Sequence, residues 1–411
     1  MLAERLYRGA MSFGRSSLTR RGAFAAAGSA AALGLAAACT KEDGTISDGG
    51  SSEEPQSAAK VTITPADGSA EATAATEIAW TVESGEFQEF ALVDASGAAV
   101  EGAMHPDGTT WVPASPLEWE GAYTATVTAA DEAGLVATAT SAFTVIASPG
   151  DRIGIENYLP GQDSTVGVGA ILAFRFTGHE VPEDLRASVE RRLFVTSEPE
   201  QEGSWHWITP RALEYRPKDF WEPNTQVTVR LGLGGLDLGD GMYGEFDQET
   251  AFVIDSEARL LEADNETKEM RAYLDGTVVQ TIPISLGADE PIDGNDARSF
   301  SGTMTIMSRE ESSTFVSDLY DYETDVKWAM RLTFSGQFIH GAPWAADRLG
   351  VANGSHGCLN VSDEMGEWIY NFVRWGDPVS VKNTGIEVPQ GDGFTGWTLD
   401  WDTFKSGSYL D

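Results

Sequence analysis

Short runs of alternating apolar and polar residues recur from Val61 to Lys382, and an apolar spacing of three or four residues seldom persists. A period of two predicts strands with one buried face, and a period near 3.6 predicts amphipathic helices. Glu77–Val82 and Phe90–Val93 read as strands, and Ala122–Thr128 with Val136–Val145 as a hairpin about Asp131-Glu132-Ala133-Gly134. Val168–Phe176 and Gln226–Leu231 are further strands, with a short helix expected over Pro182–Arg192. Beyond Asp255, strands are expected at Arg259–Ala263, Glu269–Leu274, Val278–Ser285, Gly302–Met307, Lys327–Phe334, Gly336–Ile339 and Pro378–Lys382. One helix stands out there. Ser362 is placed to cap it, Asp363 and Glu364 sit in its first turn, and Met365, Trp368, Ile369, Phe372 and Trp375 form an apolar face before Gly376 and Pro378.

Strands recurring about every ten residues from Val61 to Ala147 point to an immunoglobulin-like sandwich. Pro149 and Gly150 mark a boundary, and the strand-rich character repeats from Gly154 to Ile254. The expected organisation is mainly β: sandwiches over 60–147 and 148–254, a β-rich domain with one main helix over 255–384, and a segment over 385–411. Trp397, Trp401 and Phe404 in that segment are expected to pack back on the third domain. Trp205 and Trp207 could form a carbohydrate platform, but packing is the ordinary role of such a pair.

Composition adds bounds to this picture. A chain of 411 residues exceeds one ordinary core, and 41% hydrophobic content with 12 tryptophans is enough for several. The net charge of −37 repels nucleic acid and anionic lipid heads, so no nucleic-acid partner is expected. The first 38 residues differ, with Arg5, Arg8, Arg15, Arg20 and Arg21 against Glu4 alone. Arg20-Arg21 leads into an uncharged stretch, Gly22 to Ala38, that suits the apolar region of an export signal and is too short to span a bilayer. It ends in Leu35-Ala36-Ala37-Ala38-Cys39, which resembles a lipobox with Ala36 where Leu is usual, and Thr19–Phe24 resembles a loose twin-arginine signal. The expectation is an exported protein, lipidated on Cys39 and facing the cell wall, with a flexible polar linker over 39–59. Lipidation of Cys39 would leave Cys358, the second of two cysteines, without an internal disulfide partner.

Candidate chemistry gathers around that thiol. Nucleophilic catalysis by Cys needs a base for its proton and donors aimed at the developing oxyanion. His340 and His356 are the nearest bases, and Gly341 and Gly357 lie beside them. Cys358 is expected just before a helix start, where the dipole would favour a thiolate. His179 and His206 have no Cys or His at ligand spacing, His105 lies in a surface turn, and neither a metal nor a cofactor is expected.

The string His340-Gly341-Ala342-Pro343-Trp344, followed after a gap by Ser355-His356-Gly357-Cys358-Leu359-Asn360, resembles the signature of YkuD-type L,D-transpeptidases of actinobacterial type. Gly203–Trp207, Tyr215–Lys218 and Leu236–Gly244 resemble the Ig-like domain that precedes the catalytic domain in mycobacterial members. The resemblance implies an enzyme that links peptidoglycan stem tetrapeptides 3→3 through a Cys thioester, releases D-alanine and is acylated by carbapenem β-lactams. It implies Cys358 as nucleophile and His340 as base, with the Gly341 carbonyl fixing the imidazole, where relatives often have Ser. Gly357 and Cys358 would supply oxyanion N–H groups. Tyr322, Trp344, Ser355, His356 and Asn360 would bind substrate, with Ser355, His356 and Asn360 also bracing the motif loop.

This chain departs from the pattern in two places: Ser312–Asp321 is shorter than the family's lid, with Phe315 where Tyr is common, and Ala297–Gly302 lacks the usual Thr-Pro. A related thiol acyltransferase or carboxypeptidase on stem peptides, and a non-catalytic wall-binding Ig-like module, are the alternative readings.

Overall fold

The computed structural model describes residues 56–105, 107–317 and 319–410. The export signal, Cys39 and nearly all of the linker lie outside the described residues. The first sandwich pairs a sheet of Lys60–Thr64, Ile78–Glu83, Thr110–Pro113 and Gly102–Met104 with one of Ser69–Ala72, Val136–Val145, Ala122–Ala130 and Glu86–Asp94. Alternation does what the sequence implies: Tyr123, Ala125, Val127 and Ala129 point into the core with Ile78 and Trp80. Asp131 closes the predicted hairpin, its carboxylate accepting from the N–H groups of Ala133 and Leu135, both at 2.9 Å.

The second sandwich stacks Ile155–Asn157, Leu172–Phe176, Ala212–Pro217 and Gly203–Thr209 on Thr165–Val166, Gln248–Ile254, Gln226–Leu231 and Leu193–Glu198. The expected helix spans Glu183–Glu190. Trp205 and Trp207 are buried in this core, so they are packing residues and no carbohydrate platform. The strand expected from Val168 starts only at Leu172. Its first residues instead press against the third domain: Gly167 donates to the Trp375 carbonyl at 2.8 Å, and a Cβ on Gly167 would lie 2.1 Å from an Asp377 carboxylate oxygen. The first sandwich meets the second through Arg192 facing Glu77 at 3.9 Å and Arg230 donating to the Pro113 carbonyl at 3.0 Å.

The third domain has a five-stranded sheet, ordered Thr277–Pro283, Glu269–Leu274, Arg259–Asp264, Pro378–Lys382 and Gly302–Thr305. A four-stranded sheet follows the order Ser308–Ser317, Tyr322–Arg331, Phe338–Gly341 and Leu359–Val361. Their shared core contains Leu261, Met304, Met330, Ile339, Leu359 and Ile369. The predicted helix runs Asp363–Phe372, and its Ser362 cap accepts from Met365 N–H at 3.2 Å, an interaction worth about 1 kcal/mol. It stops four residues before Gly376, and Trp375 leaves the helix to pack against the second sandwich. The segment read as a short lid is a long hairpin, with Ser317 paired to Tyr322 and Ser308 to Arg331.

The C-terminal segment lies against both later domains. Glu387 bridges Ser301 of the third domain and Thr398 lies against Gly302, while Trp397, Trp401 and Phe404, expected on the third domain, pack on the second sandwich. Trp397 donates to the Gly169 carbonyl at 2.8 Å, His206 stacks on Phe404 at 5.0 Å, and Arg216 lies over Phe404 and Trp397 while donating to the Gly396 and Leu399 carbonyls. Beneath the segment Glu214 is buried and accepts from the Gly396 N–H at 2.8 Å. Burial outweighs that donor and the nearby arginines and pushes the Glu214 carboxyl up to about 7. Because the folded value lies above the unfolded one, folding takes up a proton between pH 4.5 and about 7, and stability falls as pH rises across that window. Burial raises Asp377 likewise. Glu214→Gln is therefore expected to lessen the drop in melting temperature between pH 4.5 and about pH 7, leaving the share that belongs to Asp377. An unchanged drop would show that the Glu214 proton plays no part in folding.

Candidate active site

His340 and Cys358 come together because two strands pair in parallel. Ile339 lies level with Leu359, His340 with Asn360 and Gly341 with Val361. Side chains alternate across a sheet, so Ile339, Leu359 and Val361 enter the core while Phe338, His340, Cys358 and Asn360 share the opposite face. The thiol sits among Val326, Ala329 and Phe338, with Phe315 of the hairpin packed against the group. Phe315 also covers His340: its ring centroid is 4.4 Å from Phe338 and 5.3 Å, edge-on, from His340.

His340 is only 4% exposed, and its Nδ1 is 2.8 Å from the Gly341 carbonyl. A carbonyl accepts, so Nδ1 carries the hydrogen and Nε2 keeps the lone pair. Burial lowers the His340 pKa, while the Gly341 carbonyl and Asp363 act to raise it. Cys358 is 8% exposed, with Sγ 3.8 Å from the Gly336 carbonyl. Burial pushes the thiol up to about 11, against the Phe338 N–H and Arg331, which lower it. In both groups burial works against the charged form. The thiol does not sit at a helix start as expected, because Leu359–Val361 is a strand and the helix begins only at Asp363.

The motif loop is tied internally. Ser355 Oγ accepts from the Gly357 N–H at 3.1 Å and donates to the Cys358 carbonyl at 2.6 Å. Gly357, at φ +121°, passes its carbonyl to Ser299 Oγ at 2.7 Å. The Gly357 N–H expected to serve the oxyanion is therefore engaged by Ser355 in this conformation. Ser355 thus ties the loop and, though expected among the substrate-binding residues, is buried with its hydroxyl engaged inside the loop. Asn360 is also buried, exchanging backbone hydrogen bonds with Ser285 at 2.8 and 3.0 Å.

His356 is placed differently. Its ring is exposed and lies 4.4 Å from that of Tyr320, whose hydroxyl donates to the Asp296 carbonyl at 3.3 Å. Trp344 is 51% exposed and 6.0 Å from His340, a position open to a substrate. The backbone of Tyr322 pairs with Ser317, and its side chain lies outside the described residues. Phe315, Phe338, Ser299 and Tyr320 were missed in the sequence, where only Phe315 drew notice as a departure. His179 and His206 bond to the carbonyls of Leu238 and Phe404, and no His, Cys, Asp and Glu group suited to a metal occurs among the described residues.

A buried Cys, a His whose Nδ1 is held by a carbonyl, and a hairpin over both form an arrangement suited to thiol acyl transfer. Comparison with known proteins agrees with that class. Residues 258–381 match the L,D-transpeptidase catalytic domain, and residues 54–237 match a bacterial Ig domain. The chain is 34% identical to L,D-transpeptidase 2 of Mycobacterium tuberculosis over 85% of each chain. It is 30% identical to L,D-transpeptidase 5 of the same species, over 87% of this chain and 79% of the relative. A solved L,D-transpeptidase in complex with imipenem superposes with a TM-score of 0.46 at 26% identity, covering 56% of this chain and 99% of that one. The chain belongs to the L,D-transpeptidase family, with bacterial Ig-like domains ahead of the catalytic domain.

Proposed function

We propose that this protein forms 3→3 cross-links between peptidoglycan stem tetrapeptides through a thioester on Cys358. The observation that carries this reading is the shared sheet face of Cys358 and His340, with the His340 Nδ1–H held by the Gly341 carbonyl. Cys358 Sγ attacks the carbonyl carbon of the third stem residue as its proton passes to His340 Nε2. The carbon–nitrogen bond breaks, D-alanine leaves with that proton, and the thioester remains. A side-chain amine of a second stem then attacks, its proton returns through His340 to the thiol, and the new amide is the cross-link. The Cys358 N–H serves the oxyanion, joined by Gly357 once that group leaves Ser355. Mass spectrometry of products from disaccharide tetrapeptides tests the reading. A dimer with loss of D-alanine supports it, whereas a free tripeptide would assign a carboxypeptidase. A carbapenem, whose strained carbonyl suits the same thiol, is expected to acylate Cys358.

The proposed location is the outer face of the cell membrane, through lipid on Cys39, with the sandwiches holding the catalytic domain in the wall. Each sandwich of about 100 residues has a radius of gyration of roughly 13 Å, so two in line reach roughly 80 Å. The polar linker adds about 25 Å. A variant lacking residues 60–147 is expected to keep its chemistry in solution and to form fewer 3→3 cross-links in cells. Unchanged cross-link content in cells would defeat the spacer role.

A further inference from the structure

Gly341 is the residue whose carbonyl fixes His340, and two features bring the Asp363–Phe372 helix onto its backbone. Gly366 has no side chain to hold the helix off: a Cβ there would lie 3.2 Å from Gly341 N. Gly341 has none either, and a Cβ on it would lie 2.5 Å from Asp363 Oδ1. The first helical residue therefore places its carboxylate in the space that a side chain at 341 would fill. Asp363 Oδ1 is buried and has no hydrogen-bond partner among the described residues. A buried carboxylate oxygen without a donor is costly, and it persists where a nearby positive charge repays it. Among the described residues no ion pair reaches it at rest, and the positive charge that forms nearby is the His340 imidazolium.

We propose that Asp363 is a positioning residue for His340: its carboxylate, set against the Gly341 peptide, stabilises the imidazolium formed when Cys358 gives up its proton. This rests on the reading of His340 as the base of acyl transfer. The proton moves from Sγ to Nε2, and the Nδ1–H stays on the Gly341 carbonyl.

The other groups around His340 do not supply this charge. Asn360 from the neighbouring strand is neutral, and Phe315 from the hairpin and Trp344 beyond the strand are aromatic. Lys327 pairs with Gly341 through the backbone but has an exposed side chain, and Arg331 lies over Phe338 at 4.4 Å, on the thiol side. Both are positive and oppose a second positive charge. Asp363 is the acidic group that favours the charged ring.

Asp363 also sits in the first turn of a helix, where any carboxylate adds modest stability, so melting temperature alone cannot test the proposal. The test is an NMR titration of the His340 imidazole, with stopped-flow acylation by imipenem across roughly pH 5 to 9, for the native protein, Asp363→Asn and Asp363→Glu. Asp363→Asn is expected to lower the His340 midpoint and slow acylation on the order of tenfold, and Asp363→Glu to recover part of the midpoint. Asp363→Ser, also well suited to a first turn, takes the place of the amide variant if that fails to fold. A His340 midpoint unchanged without the carboxylate overturns the proposal. If native Cys358 is not acylated at all, the proposed function fails instead, and the NMR midpoint still decides the role of Asp363.

Discussion

Cys358→Ala is expected to abolish covalent capture of both a tetrapeptide stem and a carbapenem while the protein keeps its fold. The thiol lies in an apolar niche of Val326, Ala329, Phe338 and Phe315, so the change removes one sulfur from a small cluster at the edge of the domain. A loss of that size costs on the order of 1 kcal/mol, against acyl transfer that has no other candidate thiol among the described residues. Intact-protein mass spectrometry after incubation with imipenem gives the answer directly. An adduct of the same mass on the Ala variant would place the nucleophile elsewhere.

His340→Asn is expected to slow acylation by about 10²- to 10⁴-fold, the usual worth of a general base. The thiol is held up to about 11 by burial, so at neutral pH nearly all of it is protonated and the reaction depends on a partner that takes the proton during attack. His356→Asn is expected to change the rate little, because that ring is exposed on Tyr320. It is expected to change the melting temperature little as well, since Ser355 ties the motif loop. Single-turnover acylation rates and melting curves for the two variants make the comparison. Loss of acylation in His356→Asn with retention in His340→Asn would exchange the two roles.

The chain's pattern carried the sandwiches well, because each buries a single face and alternation records it; Tyr123, Ala125, Val127 and Ala129 are an instance. The Asp363–Phe372 helix was legible down to its cap, since Ser362 and the apolar spacing are local signals. The hairpin over the site was not, because Ser312, Ser313 and Thr314 are polar on both faces and only Phe315 turns inward. The motif's His340 and Cys358 do share one sheet face, but the thiol does not sit at the helix start. A strand intervenes between Cys358 and the helix, and burial depends on Phe315 and Val326, which are distant in sequence. The approach of Asp363 to Gly341 left no trace either, because it arises from how a helix sits on a strand.

The closing segment has a consequence for the order in which the protein assembles. Residues 394–410 complete the junction between the second sandwich and the catalytic domain: Phe394 joins Ile171, Tyr158 and Phe334, and Arg216 finds its carbonyl acceptors at Gly396 and Leu399. A chain emerging from its N-terminus can close the first sandwich early, since every strand of that sandwich lies before Ile146. Completion of the joint between the later two domains waits for the last stretch to emerge, although Gly167 and Trp375 join them without it. Until then Glu214 lacks its Gly396 donor and Arg216 its Gly396 and Leu399 acceptors. Cleavage near residue 394 is thus expected to uncover this buried acid and base while the Gly167–Trp375 contact stays in place.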